Sequence, residues 1–426
     1  MRRGVDRVRS RRVFLKASVG AVLAALGGRP LRPRAEELAK SPATDVKIEG
    51  LVKPGFEPVR DLLAASFASG DNLGASAAIF VDGEPVLDIW GGHLDVARTR
   101  PWAKDTIVNT FSTTKTMSAL AAMILVDRRE IDLDAPVAKY WPEFGAAGKA
   151  GVKIRHLLSH TSGVPGWTEP VTVADVLDRD KAEGLLARQS PWWEPGTAIG
   201  YQSITMGPLI GRVVRRVTGT TLGKFFAEEV ARPLGGDFHI GTGPEVDARV
   251  SPLTAGTPPR PRDPPGSIPE RVFFNPYVYP ADANTVAWRR GELGGSNGHG
   301  NARGVAAIQS VVACGGEVRG KRLLSRATCE RILEPQADGL DGVLGIPMRW
   351  GLGYAVNSPL GDEMYGRRYT GRRIAMWGGS GGSVVFNDLD ARMTVAFVMN
   401  RHVEGLVDPR GTSIVVAAAD ALAASA

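Results

Sequence analysis

Phe111-Ser112-Thr113-Thr114-Lys115 opens the most apolar helical pattern in the chain. Met117, Leu120, Ala121, Ile124 and Leu125 follow at helical spacing, which predicts a largely buried helix from Ser112 to Arg128. Residues three apart share a helix face, so Lys115 can stand beside the Ser112 hydroxyl. Serine is a poor nucleophile until a base takes its proton, and lysine can be that base only if burial or a nearby cation lowers its pKa. A helix start also aims free backbone N–H groups at a developing oxyanion. A Ser-x-x-Lys string arises easily by chance, as a helix-capping serine followed by a solvated lysine. Two features set this one apart. No other serine in the chain has Lys three residues on, and a solvated lysine would fit poorly on so apolar a helix.

Strands are expected on either side of this helix in the sequence. Ala78-Ile79-Phe80-Val81 and Val86-Leu87-Asp88-Ile89-Trp90 flank Asp82-Gly83, the residues of a tight type I′ turn, giving a hairpin over 75–90. Near the other end, Ser383-Val384-Val385-Phe386 and Met393 to Met399 flank a polar turn from Asn387 to Arg392. An Ala-rich helix is expected over roughly 413–424. Between about 130 and 290, helical patterns are broken by Pro/Gly loops, with six prolines between Pro258 and Pro269. Strands at both ends and a helical middle predict an α/β chain of the α+β type. Its antiparallel sheet would be closed by the two termini, with a mainly helical insertion over roughly 130–290.

Further segments carry a family resemblance. Glu194-Pro195-Gly196 precedes Tyr201-Gln202-Ser203, and Tyr201 is the only tyrosine with Ser or Asn two residues on. His156-Leu157-Leu158-Ser159-His160-Thr161-Ser162-Gly163, Gly207 to Gly211 and Arg232-Pro233-Leu234-Gly235 lie in the same order. Together with Ser112-x-x-Lys115 these resemble class C β-lactamases, penicillin-binding proteins and family VIII carboxylesterases, over roughly residues 50–420. The resemblance implies a β-lactamase/transpeptidase-like fold and an acyl-enzyme on Ser112. Lys115 and Tyr201 would handle the proton, with Ser203 in support. The backbone N–H groups of Ser112 and Ser380 would form the oxyanion hole. It implies no cofactor.

One departure from the family is informative. The third family element usually begins with Lys on a strand beside the nucleophile, whereas here Trp377-Gly378-Gly379-Ser380 stands in its place, similar to the family VIII esterases. A lysine there can pair with the carboxylate of a β-lactam or peptidyl D-alanine; Trp377 offers an apolar face and one N–H donor. Losing one charge-assisted contact costs roughly 1.5–3 kcal/mol, on the order of tenfold to a hundredfold in binding. Small neutral esters are therefore expected over anionic lactams. The competing activities are β-lactamase, D-alanyl-D-alanine carboxypeptidase or D-aminopeptidase, and acyl transfer; a non-catalytic penicillin-binding-like sensor is the alternative from another class.

Other clusters read more simply. His156 and His160 lack the intervening Glu of a zinc protease helix and are expected to be structural, so no metal is predicted. Gly294-Gly295-Ser296-Asn297-Gly298 and Gly378-Gly379-Ser380-Gly381-Gly382 have the Gly-x-Ser-x-Gly form but lack the strand–helix setting of a nucleophile elbow. His299 and Arg303, and Trp167, Trp192 and Trp193, could line a pocket, but loop and packing roles account for them as well.

The chain of 426 residues has a formal charge of +7. Residues 1–34 carry ten basic side chains and one acid, so the remainder is net −2 and has no electrostatic footprint for nucleic acid. Ser10-Arg11-Arg12-Val13-Phe14-Leu15-Lys16, then Ala17 to Leu26, resembles a twin-arginine export signal, and the apolar stretch is too short to cross a bilayer. Residues 1–43 are therefore expected to be signal and linker, and 44–426 the hydrolase domain. Export by the twin-arginine machinery to the periplasm or medium is expected, without stable membrane insertion once the signal is cleaved. Cys314 and Cys329, the only cysteines, are expected to be buried free thiols.

Overall fold

The computed structural model describes residues 46–254, 263–403, 405 and 408–425. The expected export signal and residues 258–262 of the proline-rich loop lie outside these residues. The main sheet has nine strands: β1 (Glu49–Val52), β2 (Gly74–Val81), β3 (Glu84–Gly92), β4 (Ala337–Leu340), β5 (Pro347–Trp350), β6 (Ala355–Val356), β7 (Ile374–Gly378), β8 (Val384–Asp388) and β9 (Met393–Met399). Their order is β1-β3-β2-β9-β8-β7-β6-β5-β4, antiparallel throughout. Strands from the two ends meet at β2 and β9, with Ala78 opposite Ala396. The sheet also extends past β7 through three strands not foreseen from the sequence. They are short and interrupted by glycine and proline, so they lack a clear alternating pattern.

The hairpin turns as its residues dictate. Asp82 has φ 51° and Gly83 φ 79°, the pair of positive values that a type I′ turn requires. Alternate strand residues then serve two cores. Ala78, Phe80, Val385, Ala396 and Val398 face α2 (Thr114–Asp127) and α4 (Ala302–Ala313). Ala77, Ile79, Phe386, Val395 and Phe397 face α1 (Glu57–Ala68) and α6 (Pro409–Ser425). The C-terminal helix thus begins four residues earlier than its Ala-rich stretch suggested.

Residues Thr114 to Val126 of α2 are all buried, as its apolar sequence requires. The helix proper starts at Thr114; Phe111–Thr113 form a 3-10 turn, so Ser112 sits just ahead of the regular helix. The insertion is mainly helical and includes α3 (Met206–Thr218), packed on α2. Its residues Phe238–His239 and Val250–Ser251 depart from the expectation by joining a small four-stranded sheet with Ile107–Asn109 and His299–Gly300. Strand Ile107–Asn109 delivers the chain directly to Ser112. α5 (Pro359–Tyr365) lies between β6 and β7 in sequence. No helix among the described residues is long and apolar enough to cross a membrane.

Candidate active site

Ser112 is held by the threonines around it. Thr113 Oγ1 is 2.9 Å from Ser383 Oγ, which donates to Thr110 O at 2.7 Å. Thr114 Oγ1 accepts from Gly298 N at 2.9 Å and donates to Phe111 O. The turn is thereby tied to both glycine-rich loops. Phe111, immediately before Ser112, has φ 43°, a left-handed conformation costly for a bulky residue. Its ring packs edge-on to His402 at 5.9 Å.

Lys115 is 1% exposed. Its Nζ lies 3.1 Å from Ser112 Oγ, 2.6 Å from Ser203 O and 2.8 Å from Gly295 O. Burial holds its pKa well below the usual lysine value. A neutral amine has two N–H donors and one lone pair. With the donors taken by the two carbonyls, the lone pair is left for the Ser112 O–H. Ser203 therefore enters the site through its carbonyl, and the same carbonyl accepts from Ser296 Oγ at 3.3 Å.

Tyr201 is buried, and its ring lies 4.8 Å beneath Lys115 Nζ. Its hydroxyl is hydrogen-bonded to Ser112 and accepts from Trp377 Nε1 at 3.1 Å. Burial raises the phenol's pKa well above its ordinary value, and the Asp341 charge adds to this against the two hydrogen bonds. Tyr201 is thus a neutral phenol while Lys115 is the group pushed towards deprotonation.

Behind this trio is a layer that side-chain patterns did not reveal. Fully buried Asp341 accepts from the N–H groups of Tyr201 (3.1 Å), Val343 (2.9 Å) and Leu344 (3.0 Å), and from Trp350 Nε1 at 3.3 Å. Trp350 stacks on Tyr201 with ring centroids 5.9 Å apart, and His160 packs edge-on to both. His160 Nδ1 accepts from Gln202 N at 3.2 Å, and burial keeps its ring neutral. His156 Nδ1 accepts from Lys153 N at 3.3 Å. Both histidines therefore have structural partners.

The end of β7 closes the site. A Cβ on Gly379 would fall 2.0 Å from Thr110 O and 3.0 Å from Ser112 N, so only glycine lets this strand end lie against the serine turn. Ser380 follows at the rim, its Oγ 2.9 Å from His402 Nε2. Burial pushes the His402 pKa down to about 4.

The two alternative glycine-flanked serines, Ser296 and Ser380, line the cavity beside Ser112, whereas the other tempting side chains have packing or ion-pair partners. Gly295 lends Lys115 its carbonyl. His299 is buried against Asn297 O at 2.8 Å, and Arg303 pairs with Asp88 at 3.1 Å. Trp167 donates to Ala182 O, and Arg271 covers Trp192. Cys314 and Cys329 are buried free thiols.

Ser112, Tyr201, Trp377, Gly378, Gly379 and Ser380 line one cavity of about 670 Å³. The profile named Beta-lactamase matches residues 59–419. The chain belongs to the Beta-lactamase family. It is similar to a crystal structure of a family VIII carboxylesterase, at 39% identity and TM-score 0.82 over 88% of this chain and all of that one. A penicillin-binding protein homologue from Caulobacter crescentus matches at 34% identity and TM-score 0.82, with the same coverage. The Mycobacterium tuberculosis protein named Esterase/beta-lactamase LipL is 32% identical over 88% of each chain. The Beta-lactamase family fold expected from the sequence is thereby established.

Proposed function

We propose that this protein is a serine carboxylesterase that acts on neutral esters through an acyl-enzyme on Ser112. The observation that carries this reading is Lys115, fully buried, with two carbonyls occupying its donors and Ser112 Oγ 3.1 Å away, where burial pushes its pKa well down. Lys115 takes the hydroxyl proton as Ser112 Oγ bonds to the ester carbonyl carbon. The carbonyl oxygen becomes an oxyanion against the Ser112 and Ser380 N–H groups. The C–O bond to the alcohol then breaks, and the departing oxygen takes a proton from the Tyr201 hydroxyl, which Lys115 replenishes. Water attacks the acyl carbon and gives its proton to the same pair; the bond from that carbon to Ser112 Oγ then breaks, Oγ takes the proton back, and the carboxylic acid leaves.

The charge of the cavity supports neutral substrates. Among the described residues lining it there is no lysine or arginine; of its two carboxylates, Asp263 and Asp408, the second is ion-paired with Arg410. A carboxylated substrate would lose its hydration there without gaining a cation from these described residues. The names of the relatives, which include esterases, agree. Comparison of p-nitrophenyl butyrate with nitrocefin tests this: ester turnover at least about tenfold above lactam turnover is expected, and parity would reverse the assignment.

Export by the twin-arginine machinery to the periplasm or medium is part of the proposal, supported by Arg11-Arg12 and the apolar stretch after them. Arg11→Lys/Arg12→Lys should retain the protein in the cytoplasmic fraction; unchanged export would refute this.

A further inference from the structure

The cavity continues beyond the nucleophile to the opposite face of the sheet. Successive residues of β7 point to opposite sides. Trp377 faces Tyr201, whereas Ile374, Met376 and Gly378 face the other way, with Met376 paired to Phe386 and Gly378 to Val384. Yet Ser112 and Tyr201 line the same cavity as Ile374, Met376 and Phe386. Gly378, whose Cβ position meets only Ser383 O within 4 Å, lines the space between the two sides. On the far side the space enters a chamber between β7–β8 and α5, bounded by Leu360, Met364 and Tyr369.

This chamber offers few free polar groups. The Asn357 amide donates to the carbonyls of Tyr369 (2.6 Å) and Arg372 (3.1 Å), and Tyr369 Oη donates to Val415 O at 3.4 Å. Ser358 Oγ accepts from Gly361 N and Thr412 Oγ1 donates to Asp408 O at 3.1 Å, so that apart from the Tyr365 hydroxyl the surface of the chamber is aliphatic and aromatic. The total of about 670 Å³ accommodates roughly 20 non-hydrogen atoms at about 30 Å³ each. That is about the size of p-nitrophenyl decanoate and well above the acetate.

We propose that the chamber between β7–β8 and α5 receives an extended apolar chain of the substrate, making medium- to long-chain esters the favoured class. This rests on the esterase reading above and widens the expectation of small esters. A chain threaded past Gly378 leaves water as it enters, and each buried methylene can add up to roughly fourfold to kcat/KM. The chain takes no part in the bond changes at Ser112.

The test is a series of p-nitrophenyl esters from acetate to decanoate on the full protein, with Met364→Trp to fill the chamber and Met364→Ala to enlarge it. The wild type should gain at least about tenfold in kcat/KM from acetate to decanoate. Met364→Trp should lose about tenfold or more on decanoate while acetate stays within about twofold; Met364→Ala should retain decanoate turnover. Should Met364→Trp fail to fold, as loss of acetate turnover would reveal, the wild-type series and Leu360→Trp decide. A wild-type rate that falls beyond butyrate, or equal effects of the tryptophan on both esters in a variant whose circular dichroism matches the wild type, would overturn the proposal. Ester turnover that survives in Ser112→Ala would instead refute the esterase reading itself, so the two failures are distinguishable.

Discussion

Trp377 donates its indole N–H to the Tyr201 hydroxyl at 3.1 Å. The residue standing where the family usually places a lysine is therefore already engaged with the Tyr201 phenol. It supplies neither a cation nor a free donor to a substrate carboxylate. Its bond also orients the Tyr201 proton towards Ser112. Trp377→Phe keeps the packing and deletes the donor. A net hydrogen bond is worth about 0.5–1.5 kcal/mol, so ester kcat should fall roughly twofold to tenfold with KM little changed. A change confined to KM would show that Trp377 acts on substrate binding instead.

Lys115 sets the acid limb of the pH profile. The reaction needs its neutral amine, so kcat/KM falls as pH drops through a pKa that burial holds well below the ordinary 10.5. The rate should therefore be level on the alkaline side well before pH 10. Lys115→Arg cannot give up its proton and should lose on the order of a thousandfold. An acid limb that persists unchanged in a partly active Lys115→Arg would assign the titration to another group.

Gly379 is a steric requirement. A methyl group there would sit 2.0 Å from Thr110 O and press on Ser112 N at 3.0 Å. Gly379→Ala should cut kcat/KM on the order of a hundredfold by pushing the strand end off the serine turn. Circular dichroism should show the fold retained. Full activity would mean that β7 and the turn approach less closely than described.

His299 makes the fold acid-sensitive. It is 1% exposed, and burial lowers its pKa from 6.5 to about 4. Between these values the unfolded chain binds the extra proton, so stability falls as pH drops from 6.5 to about 4 and no further below that. The full effect is on the order of 3 kcal/mol, with about 2 kcal/mol lost between pH 7 and pH 5. His299→Gln should flatten the dependence of unfolding free energy on pH over this range. Parallel curves for the two proteins would contradict it.

The sheet was legible from the sequence where turn chemistry and alternation coincide. Asp82-Gly83 named its turn, and the apolar runs of β8 and β9 named their strands. β4–β6 escaped notice because strands of two to four residues leave no period to count. The same asymmetry holds in the site. Ser112 and Lys115 announce themselves by residue type and spacing, and Tyr201 by the motif in which it resembles the family. The groups that hold the Lys115 amine in place are the carbonyls of Ser203 and Gly295, and a carbonyl is present at every residue. Ser203 was expected to contribute through its place in the tyrosine motif; its backbone proves to be the partner of the lysine. Asp341 and Trp350 lie about 140 residues beyond Tyr201, joined to it only by the tertiary fold.

The decisive measurement is the intact mass of the protein quenched rapidly during turnover of a p-nitrophenyl ester, with Ser112→Ala alongside. The wild type should carry one acyl group, mapped to the peptide containing Ser112, and the variant should carry none and lose ester turnover on the order of a thousandfold or more. An acyl group on a different residue, or Ser112→Ala turning over the ester at the wild-type rate, would contradict the assignment of Ser112 as the nucleophile.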